Sequence, residues 1–268
     1  QGDARQVRRI LVLGGSVAGL SAAVAAKKQD PSCRIVVISS ETGRPYRRPA
    51  IPALISGEMD SWKKAEVYSA ERLKELGIEY SAGVRAEGLD VVRREVVLRE
   101  TDTGAAGKIE YDSLVLATGG VPSKLKIPGV ELDGVCTFTT YRAACEILKH
   151  VKPGGKAVVV GAGFIGLEIA ESLLKRGMNV YFNVRSRILR RRLEPDMSDY
   201  LIKHYARYGL KLMTGDSISG ILGSGKVEAV RFKDETIPVE LAVMGVGVIP
   251  AVETVLGTPV LLGETGAI

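Results

Sequence analysis

Amides are scarce in this chain of 268 residues: Gln1, Gln6, Gln29, Asn179 and Asn183 are the full set. Such economy in thermolabile side chains is a habit of heat-adapted proteins. Cysteine is limited to Cys33, Cys136 and Cys145, with no C-x-x-C pair. That argues against a disulfide framework and reads as reduced, mostly buried thiols of a cytoplasmic protein. No apolar run approaches the ~20 residues that a membrane span needs. The polar, basic stretch from Gln1 to Arg9 leads straight into a strand and is read as lacking a signal peptide. Aromatic residues make up only 5% of the chain, so no base-stacking platform is visible and a nucleic-acid partner is not expected. The excess of 37 Lys and Arg over 31 Asp and Glu, a net charge of +6, therefore reads as a solvated basic surface. Such a surface also suits phosphorylated cofactors or an acidic protein partner.

Two stretches stand out. One is Arg9-Ile10-Leu11-Val12-Leu13-Gly14-Gly15-Ser16-Val17-Ala18-Gly19; the other is Ala157-Val158-Val159-Val160-Gly161-Ala162-Gly163-Phe164-Ile165-Gly166. Each runs from a short apolar strand through a glycine turn into an Ala/Leu-rich helical stretch. The helix start offers free N–H groups and a positive dipole end to a pyrophosphate. Two such turns in one chain imply two dinucleotides, and the natural chemistry of that pair is hydride transfer between nicotinamide and flavin. The turns begin 147 residues apart (161 − 14), the spacing of a duplicated βαβ core rather than of a solenoid.

The first half predicts strands over 9–13, 34–38 and 113–117, helices over 18–28 and near 70–76, and strands within 84–98. It also predicts an irregular Pro-rich segment over 44–53 and a turn from Thr101 to Gly107. The second half predicts helices near 140–151, over 164–176 and near 195–208. Its strands are expected over 157–160 and 179–183 and near 210–213, 226–232 and 240–245. This alternation predicts an α/β chain with parallel sheets between helices. The expected architecture is two Rossmann-like doubly wound domains of the three-layer ββα type. Residues 1–120 plus 242–268 would bind FAD, and 121–241 would bind NAD(P).

At the first turn the candidate cofactor residues are Gly14, Gly15, Ser16, Ala18 and Gly19. Gly14 permits the tight turn and Gly19 permits close helix–strand packing, while Ser16 stands where a middle glycine is usual. Glu41 lies 22 residues past Gly19 (41 − 19), just after a strand, where an acid accepts hydrogen bonds from the ribose hydroxyls of an adenosine. Ile35 to Glu41 is followed by Pro45-Tyr46-Arg47-Arg48-Pro49, then by Tyr111-Asp112-Ser113-Leu114-Val115-Leu116-Ala117-Thr118-Gly119 and Ile127-Pro128-Gly129-Val130-Glu131. This ordered set resembles the two-dinucleotide flavoprotein reductases, the pyridine nucleotide-disulfide oxidoreductase superfamily. It is most similar to the branch of NADH oxidases, rubredoxin and ferredoxin reductases and the nitrite reductase flavin domain, and the resemblance covers nearly all of the chain. The resemblance implies FAD in the first site. It places Arg48 and Pro49 beside the flavin and its phosphates, Ala117, Thr118 and Gly119 along the cofactor, and the backbone of Ala86 against the adenine.

At the second turn Gly161, Gly163 and Gly166 complete G-x-G-x-x-G, with Phe164 and Ile165 between, and imply a nicotinamide dinucleotide. Glu168 falls in the first helical turn, where the dipole favours an anion; in the resembling family a glutamate here lies near the nicotinamide. Gly245-Val246-Gly247 resembles the family's turn near that ring. An NAD-preferring strand should end in an acid. Here the stretch is Phe182-Asn183-Val184-Arg185-Ser186-Arg187, which has none. Arg185 and Arg187 suit a 2′-phosphate, so NADPH is slightly favoured over NADH. The opposing reading makes them part of a solvated run from Arg185 to Arg192.

The segment Glu41–Gly57 holds no cysteine, which argues against the thiol relay of disulfide reductases. Where ferredoxin reductases of the resembling family continue to a Ser-Lys pair, this chain has Pro52-Ala53. Oxygen, a small iron protein or a quinone-like acceptor stay open. The resemblance also implies a strand, an A-x-G-D motif and an interface domain beyond Ile268, so the FAD domain is expected to be incomplete, and a homo-oligomer or second subunit could complete it. The leading expectation is an NAD(P)H-dependent FAD oxidoreductase. The alternative is a non-catalytic flavin- or NAD(P)H-binding subunit or fragment acting through a partner protein.

Overall fold

The computed structural model describes residues 7–268, and its chain divides into two compact units. The first comprises the residues up to Arg47, with Ala65–Gly120 and Pro250–Ile268. It begins with β1 (Arg9–Leu13), α1 (Val17–Gln29) and β2 (Arg34–Ser39). After α2 (Ile51–Ser56), which belongs to the second unit, it resumes with α3 (Ala70–Glu75) and β3 (Ile78–Ala82). It continues through β4 (Val84–Asp90), β5 (Glu95–Glu100), β6 (Ala106–Glu110) and β7 (Ser113–Leu116).

β1, β2, β3 and β7 form a parallel sheet in the order β3-β2-β1-β7, with Leu11 beside Val36 and Leu114. β1, β2 and β7 are mostly apolar because both faces are covered, whereas the edge strand β3 carries Glu79 and Ser81. Val12, Ile35 and Val37 point one way and pack with Leu20 and Ala23 of α1 and Leu73 of α3. Leu11, Leu13, Val36 and Ile38 point the other way and pack with Val96 of the antiparallel sheet β4-β5-β6. Period-two alternation thus builds three layers from four short strands. The expected turn at Thr101–Gly107 is shorter, because Ala106 and Gly107 already pair with Arg99 and Leu98 as the start of β6. The strand AGKIE is mostly exposed and offers little apolar pattern to read.

The second unit comprises Arg48–Lys64 and Val121–Ile249. Between β8 (Gly120–Pro122) and β17 (Val248–Pro250), which pair with each other, run β9 (Val135–Thr137), α4 (Tyr141–His150), β10 (Lys156–Val160), α5 (Phe164–Lys175) and β11 (Asn179–Val184). Then follow α6 (Pro195–Arg207), β12 (Lys211–Thr214), β13 (Gly220–Leu222), β14 (Ala229–Arg231), β15 (Thr236–Pro238) and β16 (Leu241–Met244). A five-stranded parallel sheet has the order β12-β11-β10-β16-β9, and β13-β14-β15 form an antiparallel sheet. Val158, Val160, Ala242 and Met244 pack against Ile221, Val230 and Ile237 of the latter. Val159, Phe182 and Val243, of opposite parity, are buried as well.

Two segments differ from expectation: 242–249, expected with the first unit, lie in the second, where β16 joins the parallel sheet, and so do 48–64. Within the irregular Pro-rich stretch a helix forms, with Pro52 in its first turn, where the missing N–H costs nothing. It docks in the second unit. Ser172 Oγ donates to the Pro52 carbonyl at 3.1 Å, Arg176 Nε donates to the Ile55 carbonyl at 2.6 Å, and Lys175 pairs with Glu58 at 2.8 Å. Trp62 stacks on Tyr141 at 4.2 Å.

Candidate functional site

Each unit carries one glycine turn at the carboxyl end of its central strand. In the first unit Gly14 has φ +117°, and its N–H donates to the Ile38 carbonyl at 2.9 Å. A side chain here would be strained and would also collide: a Cβ would lie 2.0 Å from the Ala117 carbonyl oxygen. A Cβ on Gly19 would lie 1.9 Å from the Gly14 carbonyl oxygen, so α1 can sit this close to β1 only with glycine there. Gly15 is enclosed as well, 2.5 Å from the Tyr80 hydroxyl by the same measure. Ser16 is the N-cap of α1 (φ −93°, ψ −170°), and its hydroxyl makes no capping bond. Val17 and Ala18 follow, exposed, at a helix start whose first N–H groups lack intrahelical partners.

The second turn repeats this construction. Gly161 has φ +108°, and its N–H donates to the Asn183 carbonyl at 3.3 Å. A Cβ there would lie 2.3 Å from the Gly245 carbonyl oxygen, and one on Gly166 would lie 1.8 Å from that of Gly161. Gly163 is the N-cap of α5 (φ −85°, ψ −176°), matching Ser16. A Cβ on Gly163 would meet nothing within 4 Å, so this glycine answers to no neighbour in the protein and leaves the approach to the helix start open. Phe164 is exposed and Ile165 half-buried. Both turns therefore fit a pyrophosphate, the second with the barer entrance.

Three residues past Ile38 stands Glu41; three past Asn183 stands Ser186. The Glu41 carboxylate accepts a hydrogen bond from the hydroxyl of Tyr46, a buried residue that sequence reasoning did not single out for any role in the site. The Glu41 carbonyl accepts from Gly83 N–H at 3.0 Å. Ser186 and Arg185 are exposed. Arg187 is half-buried and spends its guanidinium on carbonyls of its own loop.

The remaining candidates are dispersed. Thr118 Oγ1 donates to the Ala251 carbonyl at 2.6 Å, and Ala117 N–H donates to Leu13 at 2.8 Å; these bonds hold the end of β7 by the first turn. Gly119 accepts from Ala251 N–H at 3.0 Å. Ala86 lies at a bulge in β4, and its carbonyl accepts from Thr254 Oγ1 at 3.0 Å. Arg48 and Pro49 fall in the second unit, where the Arg48 guanidinium donates to the Thr139 carbonyl; they are not in the unit that carries Gly14. Glu168 is exposed on α5, and partial burial, then the nearby Glu171, push its carboxyl above the usual range. Gly245 N–H donates to Val160 at 2.7 Å, Val246 packs on the core, and Gly247 accepts from Ser123 N–H at 2.9 Å. A groove of about 590 Å³ in the first unit, lined by Arg34, Glu79, Glu95 and Lys108 among others, contains none of these residues, and these four pair as Arg34–Glu79 and Lys108–Glu95.

Residues 8–268 match the family model described as pyridine nucleotide-disulphide oxidoreductase. An NADH oxidase of Methanocaldococcus jannaschii is 34% identical over 249 residues, covering 91% of this chain and 55% of that protein. The NAD-dependent persulfide reductase of A. fulgidus superposes with a TM-score of 0.91 at 29% identity, covering 97% of this chain and 49% of that one. An engineered water-forming NADPH oxidase bound to NADPH, a mutant of the Lactobacillus brevis enzyme, gives a TM-score of 0.90 at 23% identity over 97% of this chain and 58% of that one. Among its exchanges are Asp→Ala, Ala→Arg and Met→Ser at three consecutive positions, and Pro→Arg five positions after the last. The chain spans about half the length of the curated relatives it matches.

Proposed function

The chain belongs to the pyridine nucleotide-disulphide oxidoreductase family, and from that premise we propose that it is the two-dinucleotide part of an FAD-dependent NAD(P)H oxidoreductase. The observation that carries this reading is the repeated cradle: one backbone construction, built twice, each open at a helix start. When bound, FAD would supply a carrier that takes a hydride from NAD(P)H and passes electrons onward. The chain's own part is to hold and orient. Gly14, Gly15, Ser16, Ala18 and Gly19 would receive the FAD pyrophosphate, and the Glu41 carboxylate, kept in place by Tyr46, would accept the ribose hydroxyls. Gly161, Gly163, Phe164, Ile165 and Gly166 would receive the nicotinamide dinucleotide, with Glu168 further along α5. Ala86, Ala117, Thr118 and Gly119 would line the flavin cofactor, and Gly245, Val246 and Gly247 the nicotinamide one.

NADPH is the nucleotide we favour. Ser186 stands where the first unit has Glu41, so no carboxylate repels a 2′-phosphate, and Arg185 is exposed beside it. Arg185-Ser186, with Arg191 five positions later, has the spacing of the Arg-Ser pair and the second arginine introduced into the engineered NADPH oxidase. No cysteine lies between Glu41 and Gly57, so the acceptor we propose is oxygen or a small iron protein rather than a disulfide. The three unpaired thiols support a cytoplasmic setting.

The test is to titrate the protein with FAD and then add NADPH or NADH without oxygen. The proposal expects a yellow complex whose visible absorption is bleached, faster by NADPH. Protein that binds NADPH but takes up no FAD would overturn it in favour of a nucleotide-binding subunit.

A further inference from the structure

Five arginines follow β11, and the fold does not treat them alike. Arg185, Arg190, Arg191 and Arg192 are exposed. Arg187 is turned inward. Its Nη2 donates to the carbonyls of Arg190 at 2.9 Å and Leu193 at 3.0 Å, and its Nε is buried with no acceptor. Desolvating a guanidinium N–H without a partner is unfavourable, so the arginine is held there by what its other nitrogen does.

The loop it braces is fixed at two further points. Leu189 is buried and adopts a left-handed conformation, φ +49°, which a leucine takes up only when its surroundings over-determine it. The Leu189 N–H donates to the carbonyl of Ala162, inside the second glycine turn, at 2.8 Å. Its own carbonyl accepts from the N–H groups of Arg192 at 2.7 Å and Leu193 at 3.0 Å. On the far side Ser198 of α6, fully buried, donates Oγ to the Ile188 carbonyl at 2.7 Å. The arginine loop and the pyrophosphate turn are therefore one connected construction.

We infer that Arg187 is a positioning residue for recognition of the 2′-phosphate. It does not contact that group. By tying Arg190 and Leu193 together from inside, it fixes the loop from which Arg185 and Arg191 are presented next to the Gly161–Gly166 turn. An arginine carried on a fixed backbone loses less freedom when it meets a phosphate than one on a loose loop. This inference rests on the NADPH reading above and assigns the source of its selectivity.

Adenosine 2′,5′-bisphosphate and AMP differ only in the 2′-phosphate, and neither needs a flavin to bind. Calorimetric titration of the full chain with each gives an affinity ratio. Wild type is expected to prefer the bisphosphate. Arg187→Ala is expected to lower the ratio about tenfold, the loss of roughly one charge-assisted hydrogen bond, while AMP affinity stays within about twofold. Ser198→Ala, which removes the Ile188 anchor and no arginine, is expected to lower the ratio in the same direction, and it serves if Arg187→Ala does not fold. A wild type without preference would defeat the NADPH reading itself, and the inference with it. A preference that survives both substitutions unchanged would overturn the inference alone. So would equal loss of both nucleotides, because that marks a merely structural brace.

Discussion

The two glycine turns have the same skeleton and different faces. Gly14 and Gly161 match in φ, in their bond to the next strand and in the carbonyl that bars a side chain; Gly19 and Gly166 match in their approach to the turn. The places where they part are those that would face a ligand. Ser16 stands against Gly163 at the helix start, Glu41 against Ser186 after the second strand, and Ser21 against Glu168 on the helix. Closure of a βαβ unit leaves no freedom at the first set of positions. Recognition has been free to diverge at the second.

If the shared skeleton is structural, breaking it should produce the largest effect of all, and in both units alike. Gly19→Ala and Gly166→Ala each push a methyl against a backbone carbonyl, at 1.9 and 1.8 Å, so the turn or the helix must shift to admit it. Each is expected to cost about 3 kcal/mol or more of stability by urea unfolding. A loss below about 1 kcal/mol in either would show that the two turns are not built on the same constraint.

The divergent faces predict a change of selectivity instead. Ser186→Glu gives the second turn the acid that the first one has. Affinity for NADPH should fall on the order of 100-fold through like-charge repulsion, while NADH holds or gains. Titration with both nucleotides reads this directly, and an unchanged NADPH:NADH ratio would mean that Ser186 is not the counterpart of Glu41.

Gly163→Ala separates skeleton from face at a single residue. The added methyl meets no protein atom within 4 Å, so stability should change by about 1 kcal/mol at most, the cost of a poorer N-cap. The methyl does intrude on the entrance to the helix start, and dinucleotide affinity should drop about tenfold. Lost stability with intact affinity would reverse the assignment.

The same division explains what was legible in the sequence. Strands β1, β2, β10 and β11 and helices α1 and α5 lie within a residue or so of their expected limits, because apolar runs ending in glycine turns are decided by neighbours along the chain. The glycines of the closures were legible too, since few other residues survive such contacts. What the sequence hid depends on partners far along the chain. The segment 48–64 joins the second unit through bonds such as Ser172 to Pro52, 120 residues apart, and no local pattern announces them. Arg187 reads as a phosphate ligand beside Arg185 until the fold turns it inward. Tyr46 carries no local signal of a role in the site, yet its hydroxyl bonds to Glu41.

The smallest expected effect concerns the third difference, Ser21 against Glu168. Partial burial and Glu171 raise the Glu168 carboxyl above its ordinary value of 4.5. A carboxyl raised on folding prefers to be protonated in the folded state, so its ionisation counts against folding once pH climbs past the unfolded value. Glu168→Gln removes that penalty. The substituted chain should melt slightly higher than wild type at pH 7, and the advantage should vanish below about pH 4, where the glutamate is protonated in both states. Solvent screening of this exposed side chain keeps the difference small. Paired melting curves across that range decide it. A gain of equal size at pH 4 and pH 7 would mean that the helix start gains from glutamine itself, and that charge at this position does not distinguish the second turn from the first.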